Sequence, residues 1–91
     1  TTQTAIATYA TASYDAAKVV VTADNSTDRT VSELLITWKS TTAYATEYAI
    51  VNTGSAALAT YEVDVSGSNF RILATAAAAT STSYTVKAIT L

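Results

Sequence analysis

The stretch Thr30–Lys39, T-V-S-E-L-L-I-T-W-K, decides the fold. Read with a two-residue period, Thr30, Ser32, Leu34, Ile36 and Trp38 fall on one face. Val31, Glu33, Leu35, Thr37 and Lys39 fall on the other. Leu34, Ile36 and Trp38 make an apolar stripe, and Glu33, Thr37 and Lys39 mark the solvent side. This alternation predicts the central strand of a small β-sandwich.

The rest of the chain is consistent with that reading. With 91 residues it is sized for one domain, 1–91. Ala and Thr supply 19 residues each and Ser nine, and charged residues are only 13%. The apolar fraction of 49% argues against disorder. The surface must therefore be mostly hydroxyls and methyls, and threonine suits a sheet because its branched Cβ favours extended backbone. A chain that starts at Thr1 and has no Met fits either a removed initiator or a piece of a longer protein, of which this would be the C-terminal part.

Six further strands are predicted. Thr2–Ala10 reads as an edge strand, with Ile6 and Tyr9 its only large apolar residues. Ala16–Ala23 places Ala17, Val19, Val21 and Ala23 inward and Lys18, Val20 and Thr22 outward. In Ala43–Asn52, Tyr44, Thr46, Tyr48 and Ile50 share a face. Ala59–Val65 sets Tyr61, Val63 and Val65 against Thr60, Glu62 and Asp64. Phe70–Thr75 sets Phe70, Ile72 and Ala74 against Arg71, Leu73 and Thr75. The last strand, Tyr84–Thr90, turns Tyr84, Val86 and Ala88 inward. Turn formers separate them at Asp24–Arg29, Ser40–Thr42, Asn52–Ala56 and Ser66–Asn69. Ala76–Ser83 is read as a loop with room for a single helical turn, because the alanine run is too short for a stable helix. The fold expected is all-β, a single antiparallel β-sandwich (jelly-roll or immunoglobulin-like) of about seven to eight strands.

The same residues exclude several kinds of chemistry. Without Cys or His there is no thiol or imidazole for catalysis or for structural zinc. A net charge of −2 with five scattered basic residues cannot build a phosphate-neutralising stripe, so no nucleic-acid partner is expected. No apolar run reaches the roughly 18 residues of a membrane helix, and no membrane partner is expected. Glu33, Glu47, Glu62 and Asp64 are placed outward, as a solvated strand face. Asp24, Asn25 and Asp28 could offer oxygens to calcium, but their spacing is not that of an EF-hand, and an Asx-stabilised turn is expected instead. Neither metal nor cofactor is expected, and no catalytic residue is singled out. Trp38, Tyr61 and Tyr84 are read as core, and Tyr44 and Tyr48 as candidates for an exposed contact patch.

The order of segments resembles a β domain that recurs in structural proteins of tailed bacteriophages, especially phages of marine cyanobacteria. The pieces that carry the resemblance are Y-D-A-A-K at Tyr14–Lys18, V-S-E-L at Val31–Leu34, T-A-Y-A-T-E-Y at Thr42–Tyr48, D-V-S-G at Asp64–Gly67, R-I-L-A-T at Arg71–Thr75 and A-T-S-T at Ala79–Thr82. The chain departs from that pattern at Ser68, where a second Gly is usual, at Ala76, often a Pro, and near Lys39–Thr41, where a Gly-containing turn is usual. The resemblance implies a non-enzymatic structural component of a virion, a decoration, fibre or tail-associated module acting through subunit assembly. Its partners would be copies of itself and other virion proteins. The alternative is a receptor- or glycan-binding module of a phage fibre, touching a host surface glycan. Tyr44, Tyr48, Ile6 and Tyr9 are the candidate contact residues. For Thr1–Ala10 two outcomes stay open: backbone pairing with a neighbouring chain, or completion of its own sandwich.

Overall fold

The computed structural model describes residues 2–78 and 81–91. Seven strands form: β1 Thr4–Ala10, β2 Ala16–Asp24, β3 Arg29–Lys39, β4 Thr42–Asn52, β5 Ala59–Ser66, β6 Asn69–Ala76 and β7 Ser83–Thr90. They build two antiparallel sheets, one ordered β1-β6-β5 and the other β4-β3-β2-β7. The expected all-β sandwich is present, with strand limits within two residues of those read from alternation and turn residues. Positions 79 and 80 of the expected Ala76–Ser83 loop, and Thr1, lie outside the described residues.

β1 and β2 are consecutive but belong to opposite sheets, β1 beside β6 and β2 beside β7. In the immunoglobulin constant-type order the first two strands are neighbours in one sheet. The crossing segment is fixed at both ends. Thr11 N and Oγ1 both donate to Ser68 O, and Asp15 N donates to Leu91 O. β1 completes its own sandwich: Tyr9 pairs with Phe70 across the ladder and its ring stacks on Phe70 at 5.1 Å. Thr4–Ala10 thus pairs within its own chain along one edge, and its other edge pairs with no strand among the described residues.

The core follows from the alternation. Ala17, Val19, Val21 and Ala23 of β2 are fully buried, as are Leu34 and Ile36 of β3 and Phe70, Ile72 and Ala74 of β6. β3 and β2 are interior strands of one sheet and β6 is the centre of the other. The residues with most strand neighbours are thus the most buried. Trp38 packs on this core but stays half-buried at the end of the sandwich, stacked on Phe70 at 3.9 Å. Thr30 is buried with both hydrogen-bonding capacities of its hydroxyl in use. Its Oγ1 donates to Asn52 Oδ1 and accepts from Leu58 N, which ties the β4–β5 crossing to β3.

Two hairpins are closed by two-residue loops, and both need a left-handed residue first. Gly67 supplies it between Ser66 and Asn69, at φ 61°. Between Lys39 and Thr42 the residue is Ser40, at φ 58°, where a side chain is strained. Ser40→Gly should therefore stabilise the chain by roughly 0.5–1 kcal/mol, after the entropy lost by glycine is subtracted. An unchanged or lower urea midpoint would show that the Ser40 hydroxyl contributes more than the strain it carries.

Candidate functional site

The two outer faces of the sandwich are unlike. On the β1-β6-β5 sheet the outward residues other than Ala5 and Leu73 are polar, and several engage one another. Arg71 donates from Nε to Asp64 Oδ1 at 2.8 Å and from a terminal nitrogen to Asp64 Oδ2. This fork holds the Asp64 carboxyl below the usual carboxylate range and raises the Arg71 guanidinium. Both side chains are more than a third exposed, so the pair contributes little stability. Gln3 donates to Glu62 Oε2 across the strand that carries Leu73. Leu73 points outward from the central strand and is nevertheless buried.

The outer face of the β4-β3-β2-β7 sheet sets exposed apolar side chains among threonines and charges. Every large hydrophobic side chain exposed among the described residues belongs to these strands or to the residue after them, and none to the other sheet. The ladder explains how they meet. Leu35 on β3 stands beside Lys18 on β2, which stands beside Ile89 on β7. In the next row Tyr48, Glu33, Val20 and Lys87 run across all four strands. Leu35 is 53% exposed, Ile89 63% and Tyr44 60%. A shallow depression between β2, β3 and β7 is lined by Lys18, Val20, Glu33, Lys87 and Ile89. A second, between β3 and β4, is lined by Leu35, Thr37, Tyr44 and Thr46, among others. Lys18, Glu33 and Lys87 make no ion pair among the described residues.

Of the four contact residues read from the sequence, Tyr44 and Tyr48 lie on this face. Ile6 and Tyr9 lie elsewhere, half-buried against the core between the sheets. Glu47 is corrected. It was expected outward, but it pairs with Leu34 and shares that residue's inner face. Alternation forbids Glu47 and the tyrosines on either side of it from sharing a face, and Ala43 and Ala45 accompany Glu47 inward. The grouping of Ile50 with Tyr44 and Tyr48 is corrected as well. The register slips by one residue between Tyr48 and Val51, where Ala49 sits at φ 53°. Beyond that bulge Val51, not Ile50, stands opposite outward-facing Val31.

Two other places hold polar groups. In the β2–β3 turn, Asn25 Oδ1 accepts from Thr27 N and Asp28 N, which makes the expected Asx turn. Arg29 engages Asp24, and Thr53 Oγ1 donates to Asp28 Oδ1. A Cβ on Gly54 would come within 2.9 Å of the Asp28 carboxylate, so only glycine fits there without displacing it. The three oxygen donors considered for calcium are thus already in use within the chain. Chelator should leave the melting temperature unchanged, and a fall of many degrees that calcium restores would overturn this. Inside the sandwich, Tyr61 OH and Ser32 Oγ are buried without a hydrogen-bond partner among the described residues. Tyr61 meets Tyr84 edge-to-face at 6.4 Å. Burial pushes the Tyr61 phenol up to about 12, helped by Tyr84 and by Glu47.

Among the described residues no group of three His, Cys, Asp or Glu could hold a metal ion, and no helix is long and apolar enough to cross a membrane. No protein-family model, curated protein or solved structure matches the chain.

Proposed function

We propose that this chain is a non-enzymatic structural module of a bacteriophage virion, a decoration, fibre or tail-associated domain that acts by packing against other subunits. The observation that carries the reading is the outer face of the four-stranded sheet, on which Leu35, Ile89 and Tyr44 are each more than half exposed. Single exposed hydrophobics need no explanation, but a contiguous set rimmed by polar residues marks an interaction surface. The phage setting rests on the segment resemblance given above, from Tyr14–Lys18 through Ala79–Thr82. A charged fraction of only 13% is tolerable for a protein held in an assembly. Serine and threonine add contact area at small side-chain entropy cost.

The reading is tested on particles. An antibody raised against the chain should label purified tailed-phage particles from the source of the sequence in immuno-electron microscopy. Label confined to host cells, with bare particles, would sink the proposal.

Exposed Tyr44 favours the second reading, a glycan- or receptor-binding module of a fibre, because a tyrosine ring open to solvent can stack on a sugar. A glycan array separates the two: retention that Tyr44→Ala abolishes supports binding, and none supports the structural role.

A further inference from the structure

We infer that the outer face of the β4-β3-β2-β7 sheet is covered by a second copy of this chain, packed face to face across a two-fold axis. The inference deepens the assembly reading above, on which it rests, by naming the surface and the partner.

Size comes first. Four strands at about 4.8 Å span roughly 19 Å, and the nine residues of β2 extend roughly 30 Å. The footprint is therefore on the order of 570 Å² before side-chain relief is added. A stable pair buries about 800 Å² per partner. With the axis along β2, the strands β3, β2 and β7 face their counterparts and supply on the order of 430 Å² of this footprint before side-chain relief, which sets the pair at the small end of stable interfaces. Sheets also stack readily, at about 10 Å separation and about 30°.

Chemistry then selects the occupant. The apolar residues Val20, Leu35 and Ile89 need an apolar counterpart, and the polar outer face of the other sheet does not offer one. The charges among them are of both signs, Lys18 and Lys87 against Glu33, and none is paired within its own chain among the described residues. A partner of one sign would satisfy some of these and bury the rest unpaired, at a cost. A second copy brings both signs. An isologous contact presents each Glu33 to Lys87 of the other face, and the arrangement occurs twice by symmetry. The register allows it directly. Glu33 and Lys87 lie in one row on either side of Val20. An axis running along β2 in the interface sets Val20 on Val20 and Glu33 of each copy opposite Lys87 of the other. In the neighbouring row it sets Leu35 opposite Ile89 and Lys18 opposite Lys18, with β4 reaching past the partner's β7.

Sedimentation velocity on the full chain tests this. The parent should sediment as a dimer. Glu33→Lys leaves only lysines as charges in the two central rows, and Lys18→Glu with Lys87→Glu leaves only glutamates there. Each variant should associate roughly a hundredfold more weakly than the parent, because like charges then meet. An equimolar mixture of the two should recover the dimer. Circular dichroism of each variant checks that the fold is kept, and recovery on mixing excludes unfolding as the cause of dissociation. Leu35→Lys should also give a monomer. A parent that stays monomeric at millimolar concentration, or a dimer that no variant disturbs, overturns the inference. The virion reading fails separately. A monomer that labels on phage particles overturns the self-pairing and keeps the structural role, whereas a dimer absent from particles supports the pairing and removes the phage setting.

Discussion

Replacing Phe70 by alanine should cost about 3–5 kcal/mol, the largest loss expected of any single truncation in this chain. The side chain has no exposure and sits where rings from both sheets stack face on. Tyr9 stacks on it from the adjacent strand at 5.1 Å, and Trp38 stacks on it from the opposite sheet at 3.9 Å. Truncation removes both stacks and leaves a cavity that alanines and valines nearby cannot refill. A chain of 91 residues is stable by roughly 5–14 kcal/mol, so the loss takes about a fifth of the total or more. Trp38→Ala should cost less, about 2–3 kcal/mol, because part of the indole already touches water. Urea unfolding followed by circular dichroism measures both. Tryptophan emission gives a second readout: Trp38 in the parent should emit to the blue of free indole, and Phe70→Ala should move it to the red. A Phe70→Ala variant within about 1 kcal/mol of the parent would refute the assignment of this ring as the centre of the core.

Trp38 was legible as a core-facing residue because β3 alternates without interruption, whereas the central place of Phe70 was not. Phe70 opens a short strand after a glycine turn, and nothing local distinguishes it from Ile72. It takes the central place because β6 lies between β1 and β5, and strand order is a long-range property. β4 shows the opposite limit. Its sequence sets Tyr44, Tyr48 and Ile50 on one face and alanines with Glu47 on the other, and local pattern does not say what lies against the alanines. The pairing partners decide it. Ala43 stands beside Trp38 and Ala45 beside Ile36, so small residues fill the inner face where the neighbours are already large. A local period sets which residues share a face but not which face is inward, and it cannot foresee the bulge at Ala49. The contact face was half legible. Val20 and Leu35 were on the solvent side of their strands from alternation alone, yet Glu33, Thr37 and Lys39 made that side read as ordinary surface. Only when β2, β3, β4 and β7 are set side by side do Val20, Leu35, Tyr48 and Ile89 become one patch.

Stability should fall as pH rises from about 10 to about 12, and Tyr61 should be the residue responsible for most of the loss. Its hydroxyl is buried without a partner among the described residues, and burial, then Tyr84, then Glu47 push its ionisation up to about 12 from the ordinary 10.0 of a tyrosine. The unfolded chain thus releases this proton about two pH units before the folded chain does. Below pH 10 both states hold it and the contribution is complete. Above pH 10 the unfolded state binds fewer protons, so the unfolding free energy declines until the folded phenol also ionises. Two units correspond to roughly 2–3 kcal/mol, comparable to a core truncation. Tyr84, raised by burial as well, adds in the same direction. Tyr61→Phe isolates the effect. It removes the titrating group, so its unfolding free energy should decline much less over this window than that of the parent. It also removes an unpartnered buried hydroxyl, so at neutral pH the variant should be more stable by about 1 kcal/mol. Urea unfolding of both chains across the window decides it. If the two pH profiles run parallel, Tyr61 is ionising freely in the fold, and the phenol is in contact with water at the open edge between β4 and β5.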